Sequence, residues 1–203
     1  MTSPETRDTY HHGNLKNALV AAGLEILETE GLPALTLRAI AARVGVSHTA
    51  PKNHFGSLRG LLTAIAAEGF RRHAAFMREG LGAAPDRPAR LRAAMEGYVR
   101  FATTHPHLFG MMFSPIHCDF EDPALVAAAG ESFAVLAGIS EGLDWDKGTG
   151  PDALLKTEMM LWSMVHGYAV LTMSGQMAGA TGQDDLPGIA EIMPGFGYRP
   201  APA

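Results

Sequence analysis

The stretch TLRAIAARVGVSHTAPKNHF, residues 36–55, decides the fold. Thr36 suits a helix N-cap, and the apolar positions Leu37, Ile40, Ala41 and Val44 recur behind it at helical spacing. Gly45 follows where the chain has to enter the left-handed region to turn. Ser47 predicts a second cap, with His48, Thr49 and Ala50 as a first turn and Pro51 at its end. A proline so early removes at most one hydrogen bond from the helix. Two helices separated by one glycine make a tight helix-turn-helix. Ala41 is small enough for close approach, and Ile40, Val44 and Val46 supply a core. Phe55 is expected to turn inward. That leaves His48, Thr49, Lys52 and Asn53 on an open, carboxylate-free face.

On the N-terminal side, Leu15, Leu19, Ala22, Ile26 and Leu27 follow helical spacing between a capping Asn14 and Gly31. Ser57 opens a further helix through Leu61, Leu62, Ile65 and Phe70. The breaker cluster GAAPDRP, residues 82–88, is the expected domain boundary. Beyond it the periodicity predicts helices near 88–104, 106–113, 122–142 and 151–180, with a short one near 184–193. WDKGTGP, 145–151, reads as a loop, and PGFGYRPAPA, 194–203, as a mobile tail. No alternating strand pattern or repeat is present.

The net charge of −5 is unevenly spread: +2 over residues 1–72 and −7 over the remainder. Between Glu30 and Glu68 there is no carboxylate, while Arg38, Arg43, Lys52 and Arg59 all fall there. Such a window suits a polyanion, because phosphates would meet no like charge. A polar, cationic helix on a three-helix core fits a DNA major groove. An ordinary solvated helical hairpin has the same pattern, so the window alone does not choose. Hydrophobic residues at 47% and charged residues at 18% indicate a globular chain with a sizeable core. Residues 1–30 mix charges among apolar positions and do not read as a signal peptide. The single cysteine, Cys118, cannot form an internal disulfide and reads as a packed thiol, which fits a cytoplasmic location.

The run YHHGNL, residues 10–15, and the order GLPALTLRAIAARVGVS…NHFGSLRGLL across residues 31–62 resemble the DNA-binding domain of TetR-family transcriptional regulators. The resemblance covers roughly residues 10–70. It implies that residues 47–53 form the recognition helix. It also implies that Thr36 and Ser47 bond phosphates at helix N-termini, that His54 contacts the DNA backbone, and that His48, Thr49 and Asn53 face base edges. Lys52 stands where the family usually has a tyrosine and still suits a phosphate. Leu58 stands where the family often has a phosphate-binding lysine. Arg59 beside it is the alternative cation, and Arg38 joins the same basic surface.

LWSMVHGY, 161–168, resembles the Trp–x–x–x–His–Gly signature of one C-terminal subgroup of the family, and HPHLFGMMF, 105–113, also looks like that subgroup. This implies homodimerisation through the last two long helices as a four-helix bundle, with Gly138, Gly142, Gly175 and Gly179 allowing close approach. Phe101, Phe109, Met112, Phe113, Phe133, Met159 and Trp162 are ordinary core residues singly. As a methionine- and aromatic-rich group they suit an adaptable apolar ligand cavity, with His166 and Tyr168 as polar handles.

Met159 to Gln183 carry no charge over 25 positions, long enough to span a membrane, with a GxxxG pattern at Gly175–Gly179. Ser163, His166, Thr172, Ser174 and Gln176 interrupt it, and no basic cluster flanks it, so burial in a dimer is the better reading. His105, His107, His117, Cys118 and Asp119 lack the Glu-x-x-His spacing of bundle metal sites. No nucleophile–base pair or phosphate loop appears at a convincing position, and no cofactor is implied.

The expectation is therefore an all-α chain. Residues 1–80 form a three-helix helix-turn-helix DNA-binding domain with its connecting helix. Residues 81–203 form a helical ligand-binding and dimerisation domain. The function expected is a homodimeric regulator acting as a repressor on a palindromic operator in double-stranded DNA and released by an apolar small-molecule effector. The alternative is an all-α ligand-binding or metal-dependent enzyme whose basic head is incidental.

Overall fold

A computed structural model describes residues 6–144, 152–183 and 185–198. The elements in chain order are α1 (Thr6–Glu30), a 3-10 turn (Leu32–Ala34), α2 (Leu37–Val44), α3 (Ala50–Phe55), α4 (Leu58–Arg78), α5 (Arg87–Thr104), α6 (Pro106–Met112), α7 (Pro123–Ser140), α8 (Ala153–Met173), α9 (Gln176–Thr181) and α10 (Ile189–Ile192). A two-residue antiparallel pairing joins β1 (Leu143–Asp144) to β2 (Gly197–Tyr198). Among the described residues the chain is all-α apart from that pairing. It falls into two compact units, Met1–Gly69 with His107–Ala128, and Phe70–Pro106 with Ala129–Ala203.

The first unit closes on Leu19, Ile26 and Leu27 of α1, Ile40 and Ala41 of α2, Pro51 of α3, and Leu61 and Ile65 of α4, all buried. These are the positions that the 3.6-residue period places on one face of each helix. α6 packs on α4 through Leu108 and Met112, which reach the Gly69 backbone. Cys118 is fully buried and donates its Sγ hydrogen to the Met111 carbonyl at 3.5 Å. Burial pushes its thiol up to about 11, outweighing the nearby Arg59 guanidinium, so it is a packed, unreactive thiol.

In the second unit α5 lies along α8. Leu91, Met95, Tyr98 and Phe101 of α5 and Leu161, Val165 and Ala169 of α8 are buried. Burying each large apolar side chain contributes about 1.5–3 kcal/mol. α5 also meets α4 closely: a Cβ at Gly97 would stand 2.3 Å from the Phe76 carbonyl oxygen. The Tyr168 hydroxyl donates to the Pro187 carbonyl at 2.9 Å, and Ile189 is buried, so the segment after α9 folds back onto this unit.

Several expectations change. α1 begins at Thr6, so Asn14 lies inside the helix rather than capping it. The predicted 151–180 helix is two: α8 stops at Met173, and Gly175, at φ 68°, turns the chain into α9. Gly175 and Gly179 therefore do not share one continuous helix face. The uncharged part of α8, residues 159–173, rises only about 22 Å, short of a bilayer core of about 30 Å. By length and composition α7 reaches the spanning threshold instead, at mean hydropathy 1.5. Near 184–193 only Ile189–Ile192 is helical. Part of the tail expected to be mobile, Gly197–Tyr198, is strand-paired. The loop read at 145–151 lies outside the described residues.

Candidate nucleic-acid interface

Thr36 caps α2 as its residue type dictates: its Oγ1 accepts from the Ala39 N–H at 3.1 Å. At the other end Gly45 sits at φ 75°, ψ 33°, and the Val46 N–H returns to the Ala41 carbonyl at 3.0 Å. This is the left-handed closure that glycine makes without steric cost.

Ser47 does not cap the next helix. Its Oγ accepts from the Thr49 N–H at 3.3 Å and lies 2.8 Å from the Thr49 hydroxyl, while the Ala50 N–H bonds the Ser47 carbonyl at 2.9 Å. Serine and threonine hydroxyls compete in this way with helix backbone. His48 and Thr49 therefore occupy a turn, and α3 starts at Ala50. Pro51 falls at its second position, where its missing N–H has no intrahelical acceptor to lose. Pro51 is buried beneath the turn, and Lys52 and Asn53 are exposed. His54 and Phe55 are half-buried, and the expected full inward turn of Phe55 is partial. Val44 and Val46 are half-buried as well, leaving Ile40 and Ala41 as the inter-helix core.

Thr36, Arg38, Ser47, His48, Thr49, Lys52 and Asn53 are all exposed. The head's cations divide by partner. Arg43 is spent on Glu25 at 2.5 Å and Glu30 at 2.7 Å. Arg59 donates to the Cys118 carbonyl at 2.9 Å. Arg38 and Lys52 pair with no carboxylate among the described residues. The Lys16 ammonium, which the sequence did not single out, stands 5.7 Å from the Phe55 ring centroid. Its signal was unreadable in sequence because Lys16 and Phe55 meet only when α1 crosses α3.

The residues assigned to a ligand pocket do not share one unit. Phe109, Met112 and Phe113 belong to the first, with Phe109 and Phe113 ring to ring at 5.0 Å. Phe101, Phe133, Met159, Trp162 and His166 belong to the second. There Phe133 meets Trp162 at 6.1 Å, and Phe101 is fully buried. Met159 is 56% and Trp162 42% exposed. His166 Nδ1 lies 2.8 Å from the Tyr98 hydroxyl, and His73 Nδ1 lies 2.7 Å from the Ser132 hydroxyl. The His73 and Tyr98 rings meet edge to face at 4.3 Å, so these groups form one polar cluster, with His73, Tyr98 and Ser132 buried and His166 half-buried. Sequence reading found His166 but missed His73, Tyr98 and Ser132, which lie on three different helices and meet only when these pack together. Burial, then His166, pushes the His73 imidazole down to about 3; burial also lowers His166 and raises the Tyr98 phenol. The cluster is uncharged near neutrality. Among the described residues no group of His, Cys, Asp or Glu is arranged to hold a metal ion.

Comparison with known proteins agrees with this geometry. Residues 19–65 match the family described as bacterial regulatory proteins, tetR family, and residues 91–191 match the tetracyclin repressor-like C-terminal domain. An uncharacterised HTH-type transcriptional regulator of Mycobacterium tuberculosis is 28% identical over 165 residues, 80% of this chain and 72% of the relative. A protein of unknown function from Rhodococcus sp. RHA1 superposes with a TM-score of 0.69 at 29% identity, covering 91% of this chain and 92% of that one. ActR, a TetR-family protein of Streptomyces coelicolor solved in complex with (S)-DNPA, superposes with a TM-score of 0.56 at 17% identity, over 85% of this chain and 79% of its own. Helix-turn-helix geometry and both family matches converge: the chain belongs to the TetR family of transcriptional regulators.

Proposed function

We propose that this DNA-binding regulator acts as a homodimeric repressor on a palindromic operator and is released by an apolar small molecule. Family membership makes it a regulator rather than the enzyme considered as an alternative. The observation that carries the DNA assignment is the exposed, carboxylate-free surface of α2, the Ser47–Thr49 turn and α3. Thr36, Ser47, Lys52 and His54 serve the phosphates, with Arg38 and Arg59 at the margin. His48, Thr49 and Asn53 read base edges. Residues 1–80 are the DNA-binding part and 81–203 the effector and dimer part. Trp162, His166 and Gly167 support the Trp-His-Gly subgroup.

Dimerisation is supported by an exposed apolar stripe. Leu155, Met159, Trp162 and Val170 are exposed along α8, and Gly130, Ala134 and Gly138 leave a flat, exposed line on α7. Two copies of these helices would close a four-helix bundle, as small residues permit near approach. The effector reading is supported by Phe101, Phe133, Trp162 and His166 gathered near an uncharged polar cluster, and by ActR, a protein of this fold that holds a small molecule. The cytoplasm is the compartment such a regulator serves.

Selection of bound duplexes from a random pool tests the reading. The expected result is a palindrome with half-sites about one helical turn, ~34–36 Å, apart, bound with steep salt dependence. Lys52→Ala should weaken binding to all sequences alike, whereas Asn53→Ala should relax preference at one base pair per half-site, by about 1–3 kcal/mol of discrimination. Enrichment of no sequence, with binding indifferent to salt, refutes it.

A further inference from the structure

We propose that Lys16 of α1 is a DNA-backbone contact, held over the end of the recognition helix by the Phe55 ring. The inference rests on the DNA-binding reading above and names a cation that reading does not include. Two of the four cations between residues 31 and 67 are bonded within the protein. Arg59 has its guanidinium turned to the Cys118 carbonyl at 2.9 Å. Arg43 lies between two carboxylates, Glu25 and Glu30. Arg43 therefore has its charge matched, and Arg59, though exposed, turns one N–H to the framework. Lys16 is exposed and pairs with no carboxylate among the described residues.

Its position is built rather than incidental. The Nζ lies 5.7 Å from the Phe55 ring centroid, within the range where a cation is drawn to an aromatic face. Phe55 is the last residue of α3, two positions beyond Asn53 and one beyond His54. The ammonium thus lies beside the C-terminal end of the helix proposed to enter the groove. The next acid along α1 after Lys16 is Glu25, about 13 Å up the helix axis. A phosphate approaching Lys16 from the α3 side meets Lys52 and a half-buried His54 and no like charge within residues 31–67. An ammonium on a flexible stem suits a phosphate as a point charge, and the ring limits the freedom it has to lose on binding.

The test uses the full chain and two duplexes: the selected operator and a scrambled duplex of equal length. Affinity is measured between 50 and 200 mM salt for wild type, Lys16→Met and Lys16→Arg. Methionine keeps an unbranched apolar stem on Phe55 without charge, and arginine keeps the charge. Each phosphate contact contributes about 0.9 to the salt slope, so two heads lose about 1.8 in the methionine variant. Its affinity deficit relative to wild type then shrinks by about 12-fold across that fourfold rise in salt. The loss is equal on both duplexes, and Lys16→Arg retains the wild-type slope. The slope is insensitive to the fraction of folded protein, so a destabilised variant still reports. An unchanged slope in Lys16→Met, or a loss confined to the operator, overturns the Lys16 assignment while leaving wild-type binding intact. Absence of salt-dependent binding by the wild type instead removes the DNA-binding reading and this inference with it.

Discussion

His73 shows at the scale of one residue how burial sets chemistry. Its imidazole is 2% exposed, touches Ser132 and Tyr98, and is pushed down to about 3 from an unfolded value near 6.5. The folded state therefore refuses a proton that the unfolded chain accepts across that window. Stability is fully present above pH 6.5 and is lost as pH falls toward 3, with a limiting slope on the order of 1.4 kcal/mol per pH unit from this group. His73→Asn keeps a polar atom near the Nδ1 position for Ser132 but does not titrate. Urea unfolding at pH 7 and pH 5 should show a smaller acid loss in the variant; equal losses in both proteins would assign the acid sensitivity to other groups. At the same scale, Thr36→Ala removes the acceptor of the Ala39 N–H, and should cost about 1 kcal/mol in thermal stability.

Among the elements, α4 and α5 are held at a separation that only glycine permits. With the Gly97 Cα facing the Phe76 carbonyl, an added methyl would overlap backbone, and backbone cannot rotate away as a side chain can. Gly97→Ala should therefore destabilise by about 1–3 kcal/mol, against the gain in helix propensity that alanine normally brings. A variant with an unchanged or higher unfolding temperature would show that the two helices slide freely. The start of α3 makes the complementary point. Its first turn was readable as Ser-His-Thr-Ala, because serine is a good cap. Ser47 instead bonds two residues ahead to Thr49, and the helix shortens to Ala50–Phe55. Propensity alone does not decide between these two local hydrogen bonds; the burial of Pro51 is the further constraint visible in the folded head.

For the whole molecule the surface to test is the exposed stripe of α8, proposed as the seam between two copies. Met159→Arg puts a charge at its most exposed apolar position. Sedimentation should show monomers, and affinity for the full operator should drop by about 10²-fold or more as the second head ceases to be tethered. A variant that sediments as the wild type would place the twin elsewhere. The all-α class, the Thr36 cap, the Gly45 turn and the order of the long helices were legible along the chain. Each of these depends on residues within about four positions of one another, the reach of a helical hydrogen bond. What depends on distance in space came from the folded units: that Arg43 is ion-paired and Arg59 bonds a carbonyl while Lys16 stands over Phe55, and that His73 and Tyr98 join His166. Charge pairing and desolvation follow separation between atoms, and no local pattern encodes a meeting between residues 39 or 93 positions apart in the chain, as Lys16–Phe55 and His73–His166 are.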